Sequence, residues 1–192
     1  MDKLLKEILK CAVCEEFLHH GVNPILSAGA KSKLIIIGQA PGRIVHESGI
    51  PWDDKSGDNL RAWLGISKTQ FYDPDFIALV PMGFCYPGTG KTGDMAPRPE
   101  CAPLWHNRLF EKMTNVKLVL LVGLYSQKYY LGNKAKETLT ETVQNYKKYL
   151  PSYFPLPHPS PRNNIWQVKN KWFEESVLPE LQNIVNSIIS EN

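Results

Sequence analysis

No apolar run in the 192 residues approaches the ~18 needed to cross a bilayer as a helix, so a membrane-spanning helix is excluded. The start, Met-Asp-Lys-Leu-Leu-Lys-Glu, lacks the apolar core and small-residue cleavage site of a secretory leader. The expectation is therefore a cytoplasmic protein. An excess of one charge is missing too: 22 basic against 19 acidic residues leave a net +3. That excludes a ribosome-like basic coat but permits nucleic-acid binding through a local patch. There is no internal repeat and no low-complexity tract. With 43% hydrophobic and 21% charged residues, the composition is that of a folded globular chain rather than a disordered or fibrous one. The length fits one domain over 1–192, large enough to bury a core without disulfide staples.

Cysteine is scarce. Cys11 and Cys14 form a C-x2-C pair, and Cys85 and Cys101 flank a loop rich in Pro and Gly. In a cytosolic protein structural disulfides are disfavoured. Two pairs of thiolates can chelate zinc or an iron–sulfur cluster, provided the second loop folds back. The alternative is four buried free thiols. Proline is in excess, at 15 residues against the usual ~5%. It concentrates at 81–103 and 151–161, which should be stiff loops.

Along the chain, residues 2–19 carry Leu4, Leu5, Ile8, Leu9, Ala12 and Phe17 at helical spacing and predict an amphipathic helix. The runs 33–37, 76–80 and 117–122 are short, apolar and rich in β-branching, the pattern of parallel strands buried on both faces. A fourth short strand is expected over 153–157, running into His158. Helices are expected over 56–65, 102–113, 124–131, 138–149 and 172–189. Strands alternating with helices predict an α/β layered architecture with a parallel sheet. In such sheets ligands sit beyond the carboxyl ends of the strands.

Two unusual loops fall there. Gly38-Gln39-Ala40-Pro41-Gly42 is too short for a dinucleotide fingerprint and lacks the lysine of a P-loop. Its glycines let main-chain N–H groups approach a ligand closely, although a plain turn reads the same way. His158-Pro159-Ser160-Pro161-Arg162-Asn163 has alternating prolines that stiffen the backbone and lower the entropic cost of presenting side chains. Its His can donate to or accept from a polarised ligand atom, and its Ser, Arg and Asn suit phosphate oxygens. A rigid surface turn is the alternative.

These two loops resemble the first and second motifs of the uracil-DNA glycosylases, and Gly49-Ile50-Pro51-Trp52 resembles that family's Gly-x-Pro-Phe element. The Arg-Asn ending is similar to the single-strand-selective monofunctional branch. The cysteine spacing is similar to the thermostable family 4 enzymes, which carry a 4Fe–4S centre. The resemblance implies a three-layer α/β/α sandwich with a central, mainly parallel four-stranded sheet. It implies a hydrolase that flips a base out of DNA and breaks its N-glycosidic bond. His158 would hydrogen-bond the leaving base, Trp52 would stack on it, and the backbone of Gly38, Gln39 and Ala40 would hold its edge. Ser160, Arg162 and Asn163 would grip phosphates, and Cys11, Cys14, Cys85 and Cys101 would ligate the cluster. DNA is the implied partner; no protein partner is inferred, and a monomer is expected.

There are departures. Family 4 has Glu where this chain has Gln39, and other branches have Asp or Asn where it has Ala40. Gln39 can orient water but cannot act as a base at neutral pH. Among Glu47, Asp53, Asp54 and Asp58, the first choice to supply the missing charge is Glu47; Asp58 reads as a helix-start residue and Asp53-Asp54 as a solvated turn. Pro81-Met82-Gly83 stands where the family's uracil-pairing Asn is expected. Two other functions stay open: a DNA or damaged-base binder without activity, and an enzyme acting on a small nucleoside or nucleotide.

Overall fold

Alternation along four strands divides the apolar residues into two cores. The structure is a computed structural model describing residues 1–91 and 93–190. Strands β1 (Leu34–Ile37), β2 (Ile77–Leu79), β5 (Leu118–Val122) and β6 (Tyr153–Leu156) form one sheet in the order β2-β1-β5-β6. Every neighbouring pair is parallel. Successive side chains on a strand point to opposite faces. Leu34, Ile36, Ile77, Leu79, Leu118, Leu120, Phe154 and Leu156 therefore enter one core, and Ile35, Ile37, Ala78 and Leu121 the other.

Helices cover both faces. On the first, α3 (Lys55–Leu64) supplies Leu60, Trp63 and Leu64, and α9 (Leu178–Ser190) supplies Leu181, Val185 and Ile188. On the second, α1 (Asp2–Ile8) supplies Leu4 and Ile8, α5 (Cys101–Phe110) supplies Ala102, Trp105 and Leu109, and α6 (Leu124–Leu131) supplies Leu131. The architecture is the expected three-layer α/β/α sandwich. Three short helices lie in stretches where none is expected: α2 (Arg43–Ser48), α4 (Lys68–Phe71) and α8 (Asn164–Lys169). A fourth, α7 (Leu139–Gln144), is shorter than the helix expected over 138–149. Between Cys85 and Cys101 a two-stranded hairpin, β3 (Thr89–Gly90) with β4 (Gly93–Asp94), also forms.

The first helix corrects the sequence reading. The pattern over 2–19 predicts one helix, but α1 stops at Ile8, and only a 3-10 turn at Glu15–Phe17 follows. Leu9, Val13 and Phe17 are 56%, 57% and 48% exposed, so no apolar face continues past the first two turns. The chain instead turns Cys11 and Cys14 toward Cys85 and Cys101, and Phe17 lies under the Arg98 guanidinium at 4.1 Å.

Candidate active site

Because β1, β2 and β6 run parallel, the segments that follow them leave the sheet on one side. They enclose a cavity of about 260 Å³. Strand β5 separates β1 from β6, so the two motif loops stand about 10 Å apart, two inter-strand spacings. Between them lies Gly123, with φ of 87°, and His158 packs over it with Cβ and Cδ2 3.7 Å from where a side chain would begin. Gly38, Gln39 and Ala40 line the cavity from one side; His158, Ser160 and Arg162 line it from the other.

The first loop is stapled through its carbonyls. Met82 N–H donates to the Gly38 carbonyl at 2.9 Å, and Gly83 N–H donates to that of Gln39 at 3.0 Å. In a planar trans peptide the N–H points opposite to the C=O. The Gln39 and Ala40 amides therefore face away from residues 82–83. The Gln39 side chain donates from Nε2 to the Met95 carbonyl at 2.9 Å. Its amide thus ties the loop to the segment that ends the hairpin.

Trp52 forms a wall. Its backbone is left-handed, φ 58°, a conformation that costs a non-glycine residue about 1–3 kcal/mol and needs surrounding structure to hold it. Two groups do so. Gly57 brings its main chain so close that an added Cβ would lie 1.8 Å from the Trp52 carbonyl oxygen. Arg61 donates to the same oxygen from Nη1 at 3.5 Å. The indole then lies over Gly38, where a Cβ would meet Cζ2 at 2.6 Å, and stacks beside His158 with ring centroids 5.8 Å apart. Gly38 is required here by the close approach of the tryptophan.

His158 follows β6 after Pro157. Ser160 N–H donates to its Nδ1 at 3.2 Å, which fixes Nδ1 as the acceptor and places the proton of the neutral ring on Nε2. Burial lowers the pKa from its ordinary value, against a smaller raising effect of the Asp54 and Asp94 carboxylates. The ring at neutral pH is an uncharged Nε2–H donor. The loop is locked by Asn163, whose Nδ2 donates to the His158 carbonyl at 2.6 Å, and by Asn59, which donates to the Pro159 carbonyl at 2.9 Å.

Several sequence expectations change here. Asn163 turns its Nδ2 inward to its own loop, where it holds the His158 carbonyl. Ser160 Oγ accepts from Arg162 N–H at 3.3 Å and caps the following turn, while still lining the cavity. Arg162 lines the cavity with its guanidinium pressed against Gly93 of the hairpin, Nη1 lying 2.6 Å from the position a Cβ would take. Glu47 is not a cavity residue: it is exposed on α2 and pairs with Arg43 at 3.9 Å. Val45 faces the cavity, and two residues further along a helix is a rotation of about 200°, so Glu47 points away. The carboxylates that do line the cavity are Asp54 and Asp94. Asp54, read as part of a solvated turn, is the N-cap of α3 and accepts from Gly57 N–H at 2.8 Å. Asp94 lies in a short Gly-rich stretch with no apolar alternation, and no sequence signal singled it out.

The four cysteines converge. Cys11, Cys14, Cys85 and Cys101 line one small cavity of about 20 Å³ together with Leu18 and Phe84. Phe84 N–H donates to Cys101 Sγ at 3.4 Å. Burial pushes the Cys101 thiol up to about 12, and those of Cys85 and Cys14 upward as well. Among the described residues, no three His, Cys, Asp or Glu side chains stand close enough to grip a metal ion as they are placed.

Both loops, the stacking wall and the neutral imidazole donor lie within residues 38–163, inside the stretch that matches a known family. A family model described as the Uracil DNA glycosylase superfamily matches residues 26–182, leaving only the first cysteine pair and the chain ends outside. Because that match spans most of the chain and includes both motif loops and Trp52, the chain belongs to the uracil DNA glycosylase superfamily.

Proposed function

We propose that this protein is a DNA glycosylase that hydrolyses the N-glycosidic bond of uracil, or of another deaminated base, flipped out of DNA. The observation that carries this reading is the meeting of Trp52 and the His158 Nε2–H donor in one cavity open beyond the sheet. When the bond to a base breaks, the sugar gains positive charge and the base leaves with negative charge. A neutral donor already aimed at the leaving base meets that charge without reorganising, an effect worth about 2.7–4 kcal/mol. Trp52 offers a face on which the extruded base stacks, worth about 1–3 kcal/mol. The Gln39 and Ala40 amides hold the edge of the base, and Arg162 at the rim meets the phosphate beside it.

Pro81 lines the cavity where the family places its uracil-pairing Asn. Its carbonyl is engaged by His106, whose Nε2 lies 3.0 Å away. With no side-chain amide at that position, selection among bases rests on fit, stacking and the main-chain amides of Gln39 and Ala40. The test is a panel of oligonucleotides carrying uracil, hypoxanthine or xanthine. Abasic product from the uracil strand is expected, with slower release from at least one of the others. Retention of all three oligonucleotides without abasic product would favour the second reading, a DNA-binding relative without activity. That reading draws on the absence of a carboxylate at Gln39 and Ala40.

Cys11, Cys14, Cys85 and Cys101 are the residues we propose to hold a 4Fe–4S cluster. A donor set of four thiols around one cavity, with a main-chain N–H directed at one sulfur, fits thiolate-bound iron. Such a cluster would act structurally, since its ligands lie outside both motif loops. Anaerobically purified protein is expected to be brown and to contain iron and acid-labile sulfide in equal amounts, and Cys101→Ala to lose both. A colourless preparation with stoichiometric zinc would replace the cluster with zinc, and metal-free protein would leave four thiols.

A further inference from the structure

We propose that Asp94 is a catalytic carboxylate of this site, carried to its mouth by the hairpin and facing the sugar of the extruded nucleotide. The inference rests on the glycosylase reading above and deepens it. The base, stacked on Trp52 within reach of His158, occupies the inner part of the cavity, so its sugar lies toward the opening. Asp94 is exposed and also lines the cavity, which puts it at that opening. It also stands beside the first loop, with Oδ2 3.2 Å from where a side chain on Gly42 would begin. Of the other acidic candidates, Asp54 is committed to the N-terminus of α3 and Glu47 points outward.

The hairpin is held by both motif loops. Gln39 Nε2 donates to the carbonyl of Met95, the residue after Asp94. From the other side the Arg162 guanidinium occupies the space left by the missing side chain of Gly93, the residue before it. Thr89, which pairs with Asp94 across the hairpin, is held through its Oγ1 by the Tyr86 hydroxyl at 2.6 Å. The amide at position 39 is thereby given a purpose. Where related enzymes place a carboxylate on the loop itself, this chain places an amide that tethers a strand bearing one.

The bond from C1′ to the base nitrogen breaks, and its electron pair leaves with the base, where the His158 Nε2–H stabilises it. Positive charge grows on the sugar, and the Asp94 carboxylate stabilises that charge, as carboxylates do in other glycosyl transfers through oxocarbenium-like transition states. A water oxygen then forms the new bond to C1′. Its proton passes to the Asp94 carboxylate and on to solvent, and the base anion takes a proton from solvent.

The test uses the full chain. Single-turnover excision from a uracil oligonucleotide is measured for the wild type, Asp94→Asn, Asp94→Glu and the surface control Asp75→Asn. Binding is measured to DNA carrying a protonated pyrrolidine in place of the target sugar, and to DNA carrying a neutral tetrahydrofuran there. Asp94→Asn is expected to slow excision about 100-fold. It should also abolish a preference of roughly tenfold for the cationic sugar, leave affinity for tetrahydrofuran DNA unchanged, and be partly rescued by Asp94→Glu. Unchanged tetrahydrofuran binding shows that the site is folded. If the wild type excises uracil and Asp94→Asn retains both its rate and its cation preference, the assignment of Asp94 is overturned and the glycosylase reading survives. If the wild type neither excises any base nor distinguishes the two sugars, both fall.

Discussion

Replacing His158 with alanine is expected to slow base excision about 100- to 1,000-fold under single-turnover conditions while DNA binding persists. The asymmetry follows from where the group acts. The Nε2–H donor gains strength as negative charge builds on the leaving base, so its removal is felt in the chemical step more than in the bound ground state. On the proposed reading, affinity for DNA comes from Arg162 and the rim of the cavity, which the substitution leaves in place. The pH profile carries a second signature. Because burial holds the His158 pKa below its ordinary value, the neutral ring predominates at and above that value, so the wild-type rate should change little between about pH 6.5 and 8 through this group. Single-turnover kinetics and a filter-binding titration of the wild type and His158→Ala, across that range, provide the comparison. A variant that binds normally and excises at the wild-type rate would remove His158 from the chemistry.

Acidification should destabilise the fold through a different histidine. His106 is buried on α5, its ring stacked near Phe84 and Tyr130 with centroids 5.7 and 6.1 Å away. The Pro81 carbonyl accepts from Nε2 at 3.0 Å, so Nδ1 is the acceptor for the Tyr130 hydroxyl. Burial lowers the pKa from 6.5 to about 4, and the bond to Pro81 opposes this only in part. Above pH 6.5 the ring is neutral whether folded or unfolded, and the group adds nothing to pH dependence. Between pH 6.5 and 4 the unfolded chain takes up a proton that the folded chain refuses, so stability falls as pH falls. Below about pH 4 both states are protonated and the loss is complete. The lowering from 6.5 to about 4 corresponds to a loss of about 3 kcal/mol. Urea unfolding at stepped pH values is expected to show this slope in the wild type. His106→Gln should lack it while still showing the shallower carboxylate titration below about pH 5. Parallel slopes for the two proteins would mean that His106 titrates alike in both states. The bond to Pro81 joins this equilibrium to the cavity, since Pro81 is part of its lining.

The central sheet was legible because its strands are buried on both faces. Runs such as Leu34-Ile35-Ile36-Ile37 need no knowledge of their neighbours to be read as interior strands, and each of the four lies where expected. The chemistry-bearing loops were legible for a related reason: Gly38 and the alternating prolines after His158 are local devices whose residue types carry their own backbone constraints. Helix boundaries were harder. The apolar spacing through residue 17 continues past Ile8, yet Leu9, Val13 and Phe17 find no core to enter. Periodicity records which residues could share a face, not whether anything faces them.

The carboxylates show the same boundary most clearly. Glu47 was the choice nearest in sequence to the first loop, but the rotation of one short helix turns it to solvent. Asp94 is more than fifty positions from Gln39 and is brought beside the first loop by a hairpin without apolar alternation. That hairpin is held by one amide from the β1 loop and one guanidinium from the β6 loop. The amino-acid sequence by itself determined the layered sheet and the two loops at its carboxyl edge, because burial on both faces and proline or glycine backbone limits act over a few consecutive residues. Only the tertiary structure decided which acids and which amide face the cavity, because those directions are set by contacts between residues far apart along the chain.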